Sequence, residues 1–182
     1  ANYAWANRQM LMHWTRETFG HVLKRSPRDL GMGLLYDVCH NIAKVEEYDI
    51  GGRKRKLCVH RKGATRAFPP GHEALPGRFR RTGQPVLIPG DMGTGSYVLA
   101  GTDIAYRDTF GSTCHGAGRV MSRTQAMKSS RGRAVAREMA QRGVTVLAAG
   151  RGTLHEEIPE AYKRIDEVVD VVHRAGLSRK VA

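Results

Sequence analysis

The chain has 182 residues, enough for one domain or one lobe of a larger one, and its 41% hydrophobic content excludes a disordered chain. Lys and Arg number 30 against 17 Asp and Glu, a net charge of +13 with a pI near 10.2, which favours an anionic partner: nucleic acid, nucleotide phosphate or an acidic membrane face. No apolar run approaches the ~18 residues of a membrane span, no signal-peptide pattern is present, and Cys39, Cys58 and Cys114, odd in number and far apart, fit a reducing, cytoplasmic setting better than a disulfide scaffold.

The chain opens without a methionine, directly in a helix-like stretch from Asn2 to Arg8, as expected of a fragment or a processed product. Trp5 to Phe19 reads as helix, with Gly20 as its stop. Leu34 to Ile50 is rich in β-branched and aromatic residues and reads as strand. Gly51-Gly52 reads as a hairpin turn into Lys56 to Val59. Phe68-Pro69-Pro70-Gly71-His72 is a loop. Pro85 to Ile88 and Ser96 to Ala100 are short strands around the glycine-rich loop Pro89 to Gly95. Thr102 to Phe110 is a short helix that Thr102 or Asp103 can cap. Gly111 to Arg119 is a second glycine-rich loop, followed by a long basic helix to Arg142 that Gly143 ends. Val144 to Ala149 reads as strand, and Pro159 opens a helix to His173. The class is α+β, mixed sheets flanked by helices, with no linker dividing residues 1–182.

The charge is uneven. Gly51 to Gly90 holds ten basic residues against Glu73, a net +9. A second cluster comprises Arg119, Arg123, Lys128, Arg131, Arg133 and Arg137, whereas Glu156 to Asp170 is acidic. Isolated cations are usually solvated surface, but forty residues at +9 repel one another unless something anionic lies among them.

Four constellations can carry chemistry. In Ser112-Thr113-Cys114-His115-Gly116-Ala117-Gly118-Arg119 a histidine sits among small residues before a basic helix. Glycines admit a ligand to the backbone, and amides at a helix start favour phosphate. His115 can serve there as general base, metal ligand or nucleophile; Cys114 is a rival nucleophile; a turn histidine bonded to its own backbone is the bland alternative. A cysteine phosphatase needs C-x5-R, and only four residues separate Cys114 from Arg119. The loop Pro89 to Gly95 resembles a phosphate cradle but matches neither Walker A nor GxGxxG, and tight hairpin geometry alone explains it. In Tyr36-Asp37-Val38-Cys39-His40-Asn41, strand alternation puts Tyr36, Val38 and His40 on one face. Cys39 and His40 cannot fill a metal shell by themselves, and on the residues alone His40 reads as a core histidine. Finally His60-Arg61-Lys62-Gly63-Ala64-Thr65-Arg66 gathers three cations about one glycine, a turn suited to phosphate or, more plainly, a solvent-facing hairpin end.

Taken in order, Asn2 to Arg8, Tyr36 to Asn41, His60 to Arg66, Ile88-Pro89-Gly90, Met92-Gly93-Thr94 and Cys114 to Arg119 resemble the RtcB family of RNA ligases along nearly the whole chain, and Pro159 to Lys163 extends the likeness. The resemblance implies an incomplete RtcB-like fold, residues 1–182 being a C-terminal catalytic portion. It implies a GTP- and Mn2+-dependent ligase that joins 2′,3′-cyclic phosphate or 3′-phosphate RNA ends to 5′-hydroxyl ends, as in tRNA splicing and RNA repair. By the likeness His115 attacks the GTP α-phosphate and carries GMP, and His40 ligates manganese. Asn41, Pro89, Gly90, Asp91, Met92, Ser96, Gly116, Ala117 and Gly118 hold the guanylate together with His40 and His115, and Tyr162 lies near the base. Arg61, Lys62, Arg66, Arg119 and Arg123 fall where RNA phosphates bind. The implied partners are RNA (tRNA exon halves), GTP, an N-terminal portion of the same enzyme and an archease-type activator, with no membrane.

Three departures accompany the likeness. The N-terminal part, which supplies the metals with an aspartate, a cysteine and two further histidines, is absent, so this stretch by itself is expected to be inactive. A terminal segment whose lysine touches guanine is absent as well. Asp91 stands where serine is expected; its carboxylate repels GTP phosphates if it faces them and attracts guanine N–H groups if it faces those. The rival to an enzyme is a non-catalytic basic RNA-binding module, which needs neither His115 nor His40.

Overall fold

The computed structural model describes residues 2–148 and 150–182. Helix α1, Asn2–Leu23, runs past Gly20. The chain turns instead at Lys24, which takes the left-handed conformation (φ 53°). A Cβ at Gly20 would lie 3.2 Å from the Arg25 carbonyl oxygen, so glycine permits this close return. None of the side chains of α1 is buried.

The expected strand from Leu34 starts only at Asn41, and residues 32–39 have no regular structure. Side chains hold this segment instead of a ladder. Arg8 donates to both Asp37 carboxylate oxygens (2.6 and 3.0 Å), Trp5 Nε1 donates to Cys39 Sγ (2.8 Å), and Gln84 Nε2 donates to the Tyr36 hydroxyl. The strand alternation expected for Tyr36, Val38 and His40 therefore does not apply, and His40 is exposed rather than a core residue.

From Asn41 the chain forms a long hairpin. Strand β1, Asn41–Ile50, pairs antiparallel with β2, Arg53–Lys62, in a register from Asn41 opposite Lys62 to Ile50 opposite Arg53. Its two-residue turn, Gly51-Gly52, has φ of 61° and 76°, the conformation that twists with the strands and that glycine adopts most cheaply. Strand β3, Ala64–Arg66, pairs antiparallel with β6, Ser112–Cys114, a strand lying inside the segment expected to be only a glycine-rich loop. The third sheet has the order β4 (Pro85–Ile88), β5 (Tyr97–Gly101), β7 (Ser178–Lys180), again antiparallel. Between β5 and β6, α2 (Asp103–Asp108) is capped by Thr102, whose hydroxyl accepts from the Ala105 N–H at 3.1 Å. The class is α+β, as the sequence implies.

The expected long basic helix is two: α3, Arg123–Ser129, and α4, Val135–Gln141. Gly132 (φ 81°) and the buried Ser130 sit in the break, and the Ser130 hydroxyl bonds the Ala126 carbonyl (2.8 Å) and His155 Nδ1 (2.8 Å). Residues 144–148 form no strand; Val144 and Val146 instead pack on the cluster around Met139, and Ala149 lies outside the described residues. After α5 (Arg151–Glu156), the expected helix from Pro159 splits into a 3-10 turn, Pro159–Ala161, and α6, Ile165–Arg174. Tyr162 between them is extended (φ −117°, ψ 155°) because it bridges to Arg119.

Ile165, Val169 and Val172, spaced to share one face of α6, cover Val86, Ile88 and Leu99 of the third sheet. Ala126, Val135, Met139, Ile158 and Ala161 form a second cluster, and Tyr48, Phe68 and Leu75 a third. The hairpin holds a buried ion pair whose arginine ties it to the rest. Arg61 and Glu46 side chains are 1% and 8% exposed and meet at 2.7 Å. Arg61 also donates to the Ser112 hydroxyl (2.8 Å) and the Phe110 carbonyl (2.8 Å). Arg61 is thus a tie inside the fold and not the RNA contact expected of it: its donors are taken and its guanidinium is shielded from solvent.

Burial pushes the Glu46 carboxyl up, but hydrogen bonds from Arg61 and Tyr48 outweigh it and hold the group below the ordinary glutamate value. A carboxyl held low in the folded state adds stability that is present above its unfolded pKa and is lost as pH falls through the folded one. Glu46→Ala, which strands a buried guanidinium, is expected to cost about 3–5 kcal/mol in urea unfolding. Glu46→Gln is expected to flatten the acid limb of the stability–pH curve. An unchanged acid limb, together with an alanine cost below about 1 kcal/mol, would mean that the pair behaves as a surface bridge.

Candidate functional site

Strand β6 ends at Cys114, and the next residue, His115, lines a cleft of about 580 Å3. Its walls are Pro89 to Met92 from one loop, His115 to Arg119 from the other, and Arg123, Glu157 and Tyr162. The two glycine-rich loops therefore converge, as an anion cradle requires, and Tyr162 arrives through its bridge to Arg119. The Pro89 to Gly95 loop is internally braced. Ser96 Oγ accepts from the Gly90 N–H (3.3 Å), Thr94 Oγ1 from the Asp91 N–H (3.1 Å), and the Asp91 carboxylate from the Gly93 N–H (2.7 Å). Ser96 thus acts on the cleft through Gly90, and one oxygen of Asp91 is spent on its own turn.

His40 and His115 are brought together. Their rings stack with centroids 4.0 Å apart and planes 11° from parallel. Asn41, the next residue, opens β1 opposite Lys62. Burial, and then the neighbouring His40, push the His115 imidazole below its ordinary pKa, which keeps a nitrogen lone pair free near neutral pH. Cys114 differs. It packs against the first core cluster, and burial pushes its thiol up, away from the thiolate that a nucleophile needs.

The cations divide by environment. Arg119 is held on all sides: it donates to the Glu157 carboxylate (3.1 Å), the Tyr162 hydroxyl (2.9 Å) and the carbonyls of Glu156 (2.6 Å) and Met121 (3.0 Å), and its guanidinium lies 4.8 Å from the Tyr162 ring centroid. It fixes the cleft wall: four of its five N–H groups are engaged there. Arg123 is 65% exposed and pairs loosely with Glu156 (3.4 Å) and Glu157 (3.7 Å). Lys62 is exposed. Arg66 is half-buried, donating to Gln84 (3.2 Å) with its guanidinium 4.6 Å from the Phe68 ring centroid. Glu157 is the site residue that sequence reasoning missed. Its only signal is the acidic stretch that begins at Glu156. Among the described residues, no three His, Cys, Asp or Glu side chains cluster as a metal site.

Against known proteins, residues 1–182 match the family described as tRNA-splicing ligase RtcB. The chain is 60% identical over 182 residues to the tRNA-splicing ligase RtcB of Archaeoglobus fulgidus, covering all of this chain and 38% of that protein. It is 59% identical over 182 residues to that of Pyrococcus abyssi, covering all of this chain and 20% of that protein. For Methanocaldococcus jannaschii the identity is 57% over 182 residues, with all of this chain and 19% of that protein covered. The chain thus spans between about a fifth and two fifths of the length of these relatives.

The loop bracing can be tested at its glycines. A Cβ on Gly90 would lie 2.0 Å from the Gly95 carbonyl oxygen, whereas a Cβ on Gly95 meets nothing within 4 Å. Gly90→Ala is expected to open the loop, read as faster hydrogen exchange at the Asp91, Gly93 and Thr94 amides, while Gly95→Ala leaves those amides protected. Equal protection in both variants would contradict the bracing.

Proposed function

This chain belongs to the tRNA-splicing ligase RtcB family, and from that premise we propose that residues 1–182 are the C-terminal catalytic portion of a cytoplasmic, GTP-dependent RNA ligase. The observation that carries the reading is the convergence of both glycine-rich loops on one imidazole. His115 sits in the cleft with its pKa lowered, whereas burial raises the pKa of the adjacent thiol.

In the proposed reaction a ring nitrogen of His115 attacks the α-phosphate of GTP. A P–N bond forms, the bond to the bridging oxygen breaks, and pyrophosphate leaves. GMP then passes to an RNA 3′-phosphate, itself released from a 2′,3′-cyclic phosphate by hydrolysis. The 5′-hydroxyl of the second RNA attacks that activated phosphate, and GMP departs. In this reading the backbone amides of Gly116 and Gly118 take phosphate or guanylate oxygens, since glycine exposes an amide without a side chain in the way, while the amides of Gly90, Asp91 and Gly93 are engaged in bracing their own loop. Tyr162, held by Arg119 and Glu157, offers its ring to the base. The His40 ring, flat against His115, limits the rotation of the attacking imidazole.

Manganese accompanies this chemistry in the resemblance. The residues described here do not build a site for it: His40 is one donor, and no cluster of three surrounds it. The same point supports the proposal that this stretch does not ligate by itself and works with an N-terminal portion of the enzyme. An archease-type activator belongs to the same proposal. The rival, a basic module that only binds RNA, accounts for the charge but gives no reason for a low-pKa histidine in a cleft.

Full-length enzyme incubated with labelled GTP and manganese is expected to acquire an acid-labile, alkali-stable GMP adduct, the signature of a phosphoramidate. His115→Ala is expected to abolish it and Cys114→Ala to keep most of it. Labelling retained in His115→Ala, or an acid-stable adduct, would exclude the assignment.

A further inference from the structure

Glu157 is an acid in the wall of a cleft proposed to take an anion, so its charge opposes the ligand. Its backbone is anchored, because it ends α5 and precedes Ile158, which is buried in the second cluster. Its Oε2 accepts from Arg119 Nη1 at 3.1 Å and from the Tyr162 hydroxyl, and its Oε1 lies 3.7 Å from Arg123 Nε. The Tyr162 hydroxyl in turn accepts from Arg119 Nη1 at 2.9 Å.

The bond from Tyr162 to Glu157 closes the chain on itself across the 3-10 turn Pro159–Ala161. Both glycine-rich loops lean on that turn. The Pro159 ring lies 2.8 Å from where a Cβ on Gly93 would sit. The Ala161 carbonyl accepts from the Val120 N–H at 2.8 Å, and the Lys163 N–H donates to the Gly118 carbonyl at 3.0 Å. Among the described contacts, Glu157 is the one acceptor for the phenol O–H. Arg119 can only donate and so cannot take its place. Arg119 itself keeps two anchors that do not involve Glu157, the carbonyls of Glu156 at 2.6 Å and Met121 at 3.0 Å. Loss of the Glu157 acceptor therefore frees the Tyr162 ring while the arginine stays.

We propose that Glu157 is a positioning residue for the nucleotide: it locks the Tyr162 ring and the turn beside it before the nucleotide arrives, and it acts as a hydrogen-bond acceptor rather than as a charge. The role rests on the proposed nucleotide cleft. A wall ordered in advance relieves the nucleotide of ordering it, a factor of about three to ten in affinity for one side chain. Burial, and then the bond to Glu157, push the Tyr162 phenol above the ordinary tyrosine pKa, which gives the contact a signature of its own.

The test uses the full-length enzyme as wild type, Glu157→Gln, Glu157→Ala, Tyr162→Phe and the pair Glu157→Ala/Tyr162→Phe. Affinity for α,β-methylene-GTP, which cannot give up GMP, is measured by calorimetry with manganese present. GMP attachment from GTP is timed in parallel. The Tyr162 phenol is titrated by NMR on 13C-tyrosine protein, its signal identified by its loss in Tyr162→Phe. Glu157→Ala and Tyr162→Phe are each expected to weaken the analogue about three- to tenfold, with little change in the attachment rate at saturating GTP. The pair is expected to be no weaker than either single variant, since both remove the same bond. Glu157→Gln, whose amide oxygen still accepts from the phenol, is expected to stay within about twofold of wild type. The phenol is expected to titrate at lower pH in Glu157→Ala than in wild type. Glu157→Gln as weak as Glu157→Ala overturns the proposal, because the charge would then be what matters. Weakening in the pair equal to the product of the single effects also overturns it, as does a wild-type phenol titration in Glu157→Ala. Wild type that binds the analogue with this dependence on Glu157 yet attaches no GMP overturns the ligase reading and leaves the positioning role standing. Wild type that attaches GMP, with analogue affinity unchanged in Glu157→Ala, overturns the positioning role alone.

Discussion

The Arg61–Glu46 pair is the contact on which the geometry of the site depends. It joins the two strands of the hairpin, β1 through Glu46 and β2 through Arg61, to the sequence-distant turn into β6 through Phe110 and Ser112. Phe110 has a positive φ of 51°, a conformation that costs a non-glycine residue about 1–2 kcal/mol. Its carbonyl accepts from Arg61 Nη2 at 2.8 Å. Four residues on from Phe110 and Gly111 come Cys114 and His115, and β6 pairs with β3, which follows β2 through Gly63. His40 sits at the root of the same hairpin. The stacking of His40 on His115 is therefore set by a buried ion pair that touches neither ring.

A second constraint brings the two loops into one cleft. Tyr162 breaks what would otherwise be a continuous helix so that it can pair with Arg119, and the Lys163 N–H donates to the Gly118 carbonyl at 3.0 Å. Gly93 completes the closure: a Cβ there would lie 2.8 Å from the Pro159 ring, so only glycine lets the first loop approach the 3-10 turn this closely. Each irregularity in the helical half of the chain coincides with a contact to the cleft or to the core beneath it.

Local signals were read correctly where the cause is local. The Gly51-Gly52 turn, the Thr102 cap, the β4 and β5 strands and the gathering of small residues about His115 all follow from a few adjacent residues. The failures are at positions decided from afar. Residues 34–40 have strand-forming side chains, yet Arg8 and Trp5 of α1 claim Asp37 and Cys39. The basic stretch from Arg119 to Arg142 has helical composition, yet Ser130 is drawn to His155 and the helix breaks. Arginines are the hardest to assign from sequence. Arg61, Arg119 and Arg123 look alike in a basic run, but partners 15 or more residues away decide which is a tie and which is free to exchange.

That division settles how a phosphate can be received. Arg119 and Arg123 are the cations lining the cleft, and both share Glu157. Arg119 is locked by short bonds to immobile partners, so capturing a phosphate with it would break contacts that hold Tyr162 in place. Arg123 meets its acids at 3.4 and 3.7 Å from a largely solvated position, where such pairs are worth about 0–1 kcal/mol. In the proposed reading, an incoming phosphate draws Arg123 away at little cost and leaves Glu157 still neutralised by Arg119. One acid is thus shared between a fixed arginine and an exchangeable one beside the cleft.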